Sequence, residues 1–235
     1  AIVSGRLFSR KEEDLAQRAR DDLVETQRGA FVLRSPLLAP TRFMAPFWDQ
    51  LIVLQDIDDS NGVPYDWTPA QLDRAKPGNM LANWFELPWG GPDHVILPGY
   101  HTAAEDSLKR RRTADGSEVF LAVCGLMSTG TKTILLNRWR TGGQTTCDLV
   151  REFVQELPYS TASSAWQRSV QLALHSEIDP SLEPRLRLSE YDVVLTAEHP
   201  FLWAGPMLID TGDQPQTDES QDDGKVVTVK HVEAR

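Results

Sequence analysis

Two thiols, a tyrosine–histidine pair and a lysine two residues past a glycine are the groups in this chain whose types and spacing admit chemistry. Thiol catalysis needs an accessible thiolate beside a base. Cys124 sits in the apolar segment FLAVCGLM, where a cysteine reads as a small, inert core residue. Cys147 opens the helical pattern TTCDLVREFVQELP, where a helix dipole lowers a thiol pKa. It adjoins Asp148 and no local histidine, so it reads as an incidental, more exposed cysteine. Tyr100 and His101 close the apolar run HVILPGYHT, residues 94–102, and the carboxyl end of a strand in an open α/β sheet is where reactive side chains are presented. A phenol, with an ordinary pKa near ~10, needs strong activation to act as a nucleophile at neutral pH. His101 beside it is the one local candidate base, and the plainer reading is a satisfied loop histidine.

The lysine belongs to GLMSTGTKT, Gly125 to Thr133, which nearly spells the phosphate-cradling GxxxxGK[ST] loop, while LIVLQD resembles an apolar strand ending on a Mg²⁺-binding Asp56. The match fails in detail. Thr131 separates Gly130 from Lys132, a strand rather than a phosphate-binding helix is expected next, and the acidic strand precedes the loop. A helix end followed by a buried strand is the simpler reading. Neither cysteine belongs to a CxxC or lies near a histidine at metal-ligand spacing, so no metal and no cofactor are expected.

These residues need a frame, and 235 residues are enough to bury one substantial α/β core. A formal charge of −10 and a pI near 5.0 give no basic field for nucleic acid or an anionic membrane. No apolar run approaches the roughly 20 residues of a membrane span, and AIVSGRLFSRKEED lacks a signal-peptide core, so a cytoplasmic chain is expected. IVSGRLFS reads as a first strand. Leu15, Ala19 and Leu23 then recur at helical spacing among charges. AFVLR and LIVLQD are continuous apolar runs that suit parallel strands covered on both faces. A long Asp-, Pro- and Gly-rich loop, DIDDSNGVPYDWTPAQLDRAKPGN, precedes a short helix, MLANWFELP, and the strand HVILP.

Further on, VFLAVCGLMSTG fits strand or helix by periodicity, and Gly130 as a C-cap favours a buried helix feeding the strand TILLNRW. TTCDLVREFVQELP predicts an amphipathic helix with Thr145 or Thr146 as N-cap and Pro158 as stop. TASSAWQRSVQLALHSEI predicts a second helix, and HPFLWAGPMLIDTGD a last strand. The basic run Lys109 to Arg112 reads as a solvated loop. Residues 213–235, acidic and without aromatics, read as a disordered tail. Strands alternating with helices imply a mostly parallel, doubly wound sheet.

The segments MLANWFELPWGGPDHVILPGYHTA, FLAVCGLMSTGTKTILLNRWRTGGQTTCDLVREFVQELP, AWQRSVQLAL and HPFLWAGPMLIDTGD, in that order, resemble the CHAT domain, a caspase-like module commonly found after tetratricopeptide repeats. The helix–Gly–strand–Trp run from Phe120 to Trp139 and the His-Pro-aromatic-x-Trp-Ala pattern from His199 to Ala204 are its most specific pieces. The resemblance implies an α/β fold with a caspase-like, mostly parallel sheet flanked by helices on both faces. This domain covers residues 1–212, with the family motifs clearest over 51–212. It also implies that the chain, which opens on Ala1 rather than Met, is the C-terminal module of a longer protein with repeats upstream.

Active members of that family resemble caspases, with a His and a Cys at the carboxyl ends of neighbouring strands cleaving peptide bonds. By the resemblance Tyr100 stands at the place of the cysteine and Gln55 or Asp56 at that of the histidine, and no histidine occurs between Ala1 and Asp93. An aspartate cannot replace imidazole as the base without a raised pKa. The implied reading is a domain without the dyad, a pseudopeptidase serving as a protein-interaction or regulatory module whose partner is a protein or peptide. Asn137, Trp139 and Arg140 would border the groove for an extended segment. The alternatives are a cysteine peptidase using Cys124 or Cys147 in a rearranged site, and a nucleotide-binding domain built on Gly125 to Thr133. His199 belongs to a fold motif and takes no catalytic role.

Overall fold

A computed structural model describes residues 2–4, 7, 15–30, 32–33, 48–59, 70–71, 92–101, 117–184, 186 and 196–212. Six strands form one sheet: β1 (Ile2–Ser4), β2 (Val32–Leu33), β3 (Gln50–Leu54), β6 (His94–His101), β7 (Thr133–Asn137) and β8 (Pro206–Asp210). Their spatial order is β2-β1-β3-β6-β7-β8. Every pairing is parallel except β7 with β8, so an antiparallel strand closes one edge. The expected α/β class with a mostly parallel sheet is present. Within the long acidic loop, β4 (Asp58–Asp59) and β5 (Ala70–Gln71) make a separate antiparallel ribbon. Most of that loop, the segment MLANWFELP, the run Lys109 to Arg112 and the tail from 213 lie outside the described residues.

The continuous apolar strands are explained by burial on both sides. Leu51, Val53, Val95, Leu97, Ile134 and Leu136 face one layer, where helix α2 (Ser117–Ser128) contributes Ala122 and Leu126. Ile52, Leu54, Ile96 and Leu135 face the other, against α1 (Leu15–Thr26), α3 (Gly143–Glu156) and α4 (Ala162–Leu174). Alternate residues of each strand therefore serve different layers, as the pleat requires. The second layer is the thicker. Phe153 of α3, fully buried, meets Trp166 of α4 edge-on at a centroid distance of 5.6 Å.

Helix α2 differs from expectation on one face. The helix and its Gly130 terminus, at φ 99°, agree with the sequence, but Phe120 is 68% exposed and Met127 41% exposed. Its apolar composition suggested burial all round, yet a single sheet covers one side of a helix. HPFLWAGPMLIDTGD also divides, because Pro200–Trp203 forms a one-turn helix, α5, before β8 begins. The His199 Nδ1 accepts from the Phe201 N–H at 3.2 Å and Pro200 holds the first helical position, so this histidine is a cap.

The start of α3 is a second correction. Neither Thr145 nor Thr146 is the N-cap; both lie inside a helix that begins at Gly143, after Gly142. Helix N–H groups without an intrahelical partner need acceptors. Here the acceptor comes from far along the chain, since Glu183 Oε1 receives the Thr145 N–H at 2.7 Å and its hydroxyl at 2.8 Å. Gly143, at φ 77°, admits this carboxylate because a Cβ there would stand 2.7 Å from Glu183 Oε2. Thr161, by contrast, caps α4 locally, accepting from the Ser164 N–H at 3.3 Å.

Glu183 is 2% exposed, and burial pushes its carboxyl above the ordinary 4.5 while the two bonds from Thr145 pull it down. A carboxyl raised in the folded state holds its proton more tightly than the unfolded chain does, so stability rises as pH falls from neutral toward about 4.5. Melting curves between pH 7 and pH 5 should show that rise, reduced in Glu183→Gln; an undiminished rise in the variant would assign it to other groups. A different test addresses the sheet. A Cβ on Gly99 would overlap the Gln55 carbonyl oxygen and stand 2.9 Å from the Asp56 Cα, both backbone atoms. Gly99→Ala should cost about 3 kcal/mol in chemical denaturation, and a loss under about 0.5 kcal/mol would show that the strands part without strain.

Candidate functional site

The carboxyl end of the sheet is built around an irregularity in β6. The strand pairs with β7 from His94–Thr133 to Ile96–Leu135, and then again only at His101–Asn137. Five residues of β6 thus pass beside two of β7, and the surplus bulges at Pro98 and Gly99. Gly99 lets the bulge lie against the chain leaving β3, where its carbonyl accepts from the Ile57 N–H at 3.2 Å. Asn137, 1% exposed, locks the other side by donating from Nδ2 to the Pro98 carbonyl and, at 2.6 Å, to the Thr141 hydroxyl. An asparagine can hold two acceptors through one amide nitrogen, which is what this corner requires.

The bulge decides where Tyr100 points. Strict alternation would put residue 100 on the face of Ile96, yet Tyr100 packs with Val95 and Leu97 in the layer under α2 and is 4% exposed. A strand-end residue expected at the mouth of a cleft is a core residue. His101 is the last residue of β6, opposite Asn137. Gln55, just past β3, is 8% exposed.

The polar rim is formed by Asp56 and Arg140. The Arg140 Nη2 meets the Asp56 Oδ2 at 2.5 Å, with the two side chains 40% and 22% exposed. Because β6 lies between β3 and β7, this pair reaches across the end of β6. Partly solvated, it contributes on the order of 1 kcal/mol or less. Trp139 stacks on Phe201 with centroids 5.9 Å apart and planes 9° from parallel. Behind it a cavity of about 20 Å³ between Thr141, Thr146, Pro184 and Leu202 has room for one water and not for a side chain. Of the three residues expected to border a groove, Trp139 and Arg140 stand at the rim, whereas Asn137 turns inward as the lock on the bulge.

The two cysteines exchange their expected environments. Cys124, read as core, is exposed on the outer side of α2 beside Phe120 and Met127; Cys147, read as exposed, is 6% exposed within the layer of α3. Helical geometry explains both. Cys124 lies two residues, about 200°, from the buried Leu126. Cys147, Val150 and Val154 share one stripe, and that spacing is legible in the sequence. Neither thiol is at a strand end. Among the described residues no imidazole makes a hydrogen bond with Cys124, and His175 and His199 sit at helix termini.

The phosphate-cradle reading of Gly125 to Thr133 is overturned. Gly125 to Ser128 finish α2, β7 follows at once with no helix to receive a phosphate, and Lys132 is drawn toward Asp93 at 3.5 Å. Among the described residues no group of three or more His, Cys, Asp or Glu side chains gathers where a metal could be held, and no helix is long and apolar enough to cross a membrane.

A family model described as the CHAT domain matches residues 80–211, more than half of the chain. No curated protein and no solved structure matches significantly. The matched span holds β6, α2, β7, α3, α4, α5 and β8, which carry the bulge, the Arg140 and Trp139 side of the rim and the helices behind it. On that match and on its mostly parallel α/β sheet, the chain belongs to the CHAT domain family, whose fold is caspase-like.

Proposed function

We propose that this chain is a CHAT domain without a working Cys–His dyad, acting as a cytoplasmic protein-interaction or regulatory module in a larger protein with tetratricopeptide repeats upstream. The observation that supports the reading is the packing of Tyr100 into the core; the resemblance sets this residue at the family's cysteine position. A buried phenol does not reach a substrate carbonyl. The resemblance sets the histidine's place at Gln55 or Asp56, and Asp56 is engaged by Arg140.

The rim that remains suits recognition. Arg140 offers a planar fork, and the Trp139–Phe201 stack offers an aromatic surface, both beside the exit of β7. Such a rim fits an extended segment of a protein partner. A second reading, a cysteine peptidase with a rearranged site, draws on the exposure of Cys124, the more accessible of the two thiols.

Cleavage assays separate the two. The full-length protein, incubated with candidate protein substrates and with an electrophilic peptidase probe, should give no cleavage and no saturable labelling, with wild type, Cys124→Ala and Cys147→Ala alike. Cleavage that disappears in either variant would overturn the proposal.

A further inference from the structure

The opposite end of the sheet holds a larger space. A cavity of about 360 Å³ opens at the amino ends of β1, β3 and β6, between the last turns of α1 and α3. This falls within the ~300–1,000 Å³ of small-molecule sites. Its apolar lining comes from Ile2, Ala30, Ile52, Leu157 and Pro158, and Trp48 adds an aromatic wall. Gln27, Arg28, Asp49, Gln50 and His94 supply polar groups from three separate elements and their flanks. Apolar lining with a few convergent polar groups is the general composition of a ligand site.

Three features narrow the ligand. The His94 Nδ1 is buried without a hydrogen-bond partner, although the His94 backbone is secured by its N–H bond to the Asp49 carbonyl at 3.0 Å. A buried ring nitrogen left unpaired carries a desolvation cost that a ligand group would relieve. Second, Arg28 and Asp49 place one positive and one negative side chain on the same cavity, both exposed at its rim. Third, α1 and α3 both end beside it, so their carbonyl termini add partial negative charge to its wall. Gln27 is held in place by its donation to the Val154 carbonyl of α3 at 3.1 Å, which ties the two helix ends together as one wall.

We propose that this cavity is a binding site for a small zwitterion with an apolar body, an apolar or aromatic α-amino acid being the simplest member of the class. Its carboxylate pairs with Arg28, its ammonium with Asp49 and the helix ends, and its side chain lies among Trp48, Ile52 and Leu157. The site is independent of the reading given for the carboxyl end, since it shares no lining residue with it. His94 serves as a neutral polar contact, because burial lowers its pKa from the ordinary 6.5.

Calorimetric titration with L-phenylalanine tests this directly. Saturable binding of one molecule per chain is expected, weakened at least tenfold in Arg28→Ala and in Asp49→Ala, and abolished in Ala30→Trp, which fills the space. Phenethylamine and 3-phenylpropionate, each lacking one charge, should bind at least tenfold more weakly. Because Arg28 and Asp49 are exposed, their variants should melt as the wild type does, separating lost binding from lost folding. No saturable heat with L-phenylalanine, or binding that survives both charge variants, or equal affinity for a singly charged analogue, would overturn the proposal.

Discussion

Strand β6 spends five residues where its neighbour β7 spends two, and the carboxyl end of the molecule follows from where that surplus goes. A bulge in an interior strand cannot project freely, because chain lies on both sides of it. The surplus is pressed toward β3, where only glycine lets the two backbones approach, and it is fastened from the β7 side by Asn137. The bulge inverts the facing of the next residue, so Tyr100 enters the core beneath α2 instead of following Ile96. The same corner sets the start of the chain leaving β7, which brings Trp139 onto Phe201 and Arg140 across to Asp56.

The two layers tolerate this irregularity unequally. Below Ile96 the register of β3, β6 and β7 is regular, and each strand feeds alternate residues to α2 on one side and to α1 and α3 on the other. That portion supplies the burial that holds the sheet together, at roughly 25 cal/mol per Å² of apolar surface. The bulge lies past it, toward the solvent end, where ladder hydrogen bonds are replaced by the side-chain bonds of Asn137. A fold of this kind fixes positions at strand ends and leaves their chemistry to the residues that fill them.

Much of this was legible from residue order. Continuous apolar strands, the stripe Leu15, Ala19, Leu23 and the Gly130 stop of α2 are local signals, and the structure follows each of them. What was not legible is non-local. The cap of α3 comes from Glu183, thirty-eight residues beyond Thr145, and no local pattern announces it. The facing of Tyr100 depends on a register change, and a period-two reading of HVILPGYHT cannot count surplus residues against a partner strand. The cysteines were misplaced for a plainer reason. Apolar neighbours in sequence suggested burial for Cys124, but in a helix the neighbours that share an environment are three and four residues away.

The sheet end is closed by two contacts of very different strength, and the difference bears on what a partner could change there. The Asp56–Arg140 pair is partly solvated, and a partner presenting its own carboxylate would exchange one charge-assisted bond for another at little net cost. Tyr100 is held by packing. Turning it outward would expose its ring to water and leave a void among Leu97, Leu126 and Leu136, losing about 1.5–3 kcal/mol of burial before any cavity is counted. The bulge would also have to reverse, breaking the Asn137 bonds and parting Gly99 from the chain after β3. The rim is therefore exchangeable while the residue beneath it is fixed, and the strand-end phenol stays out of reach of the surface.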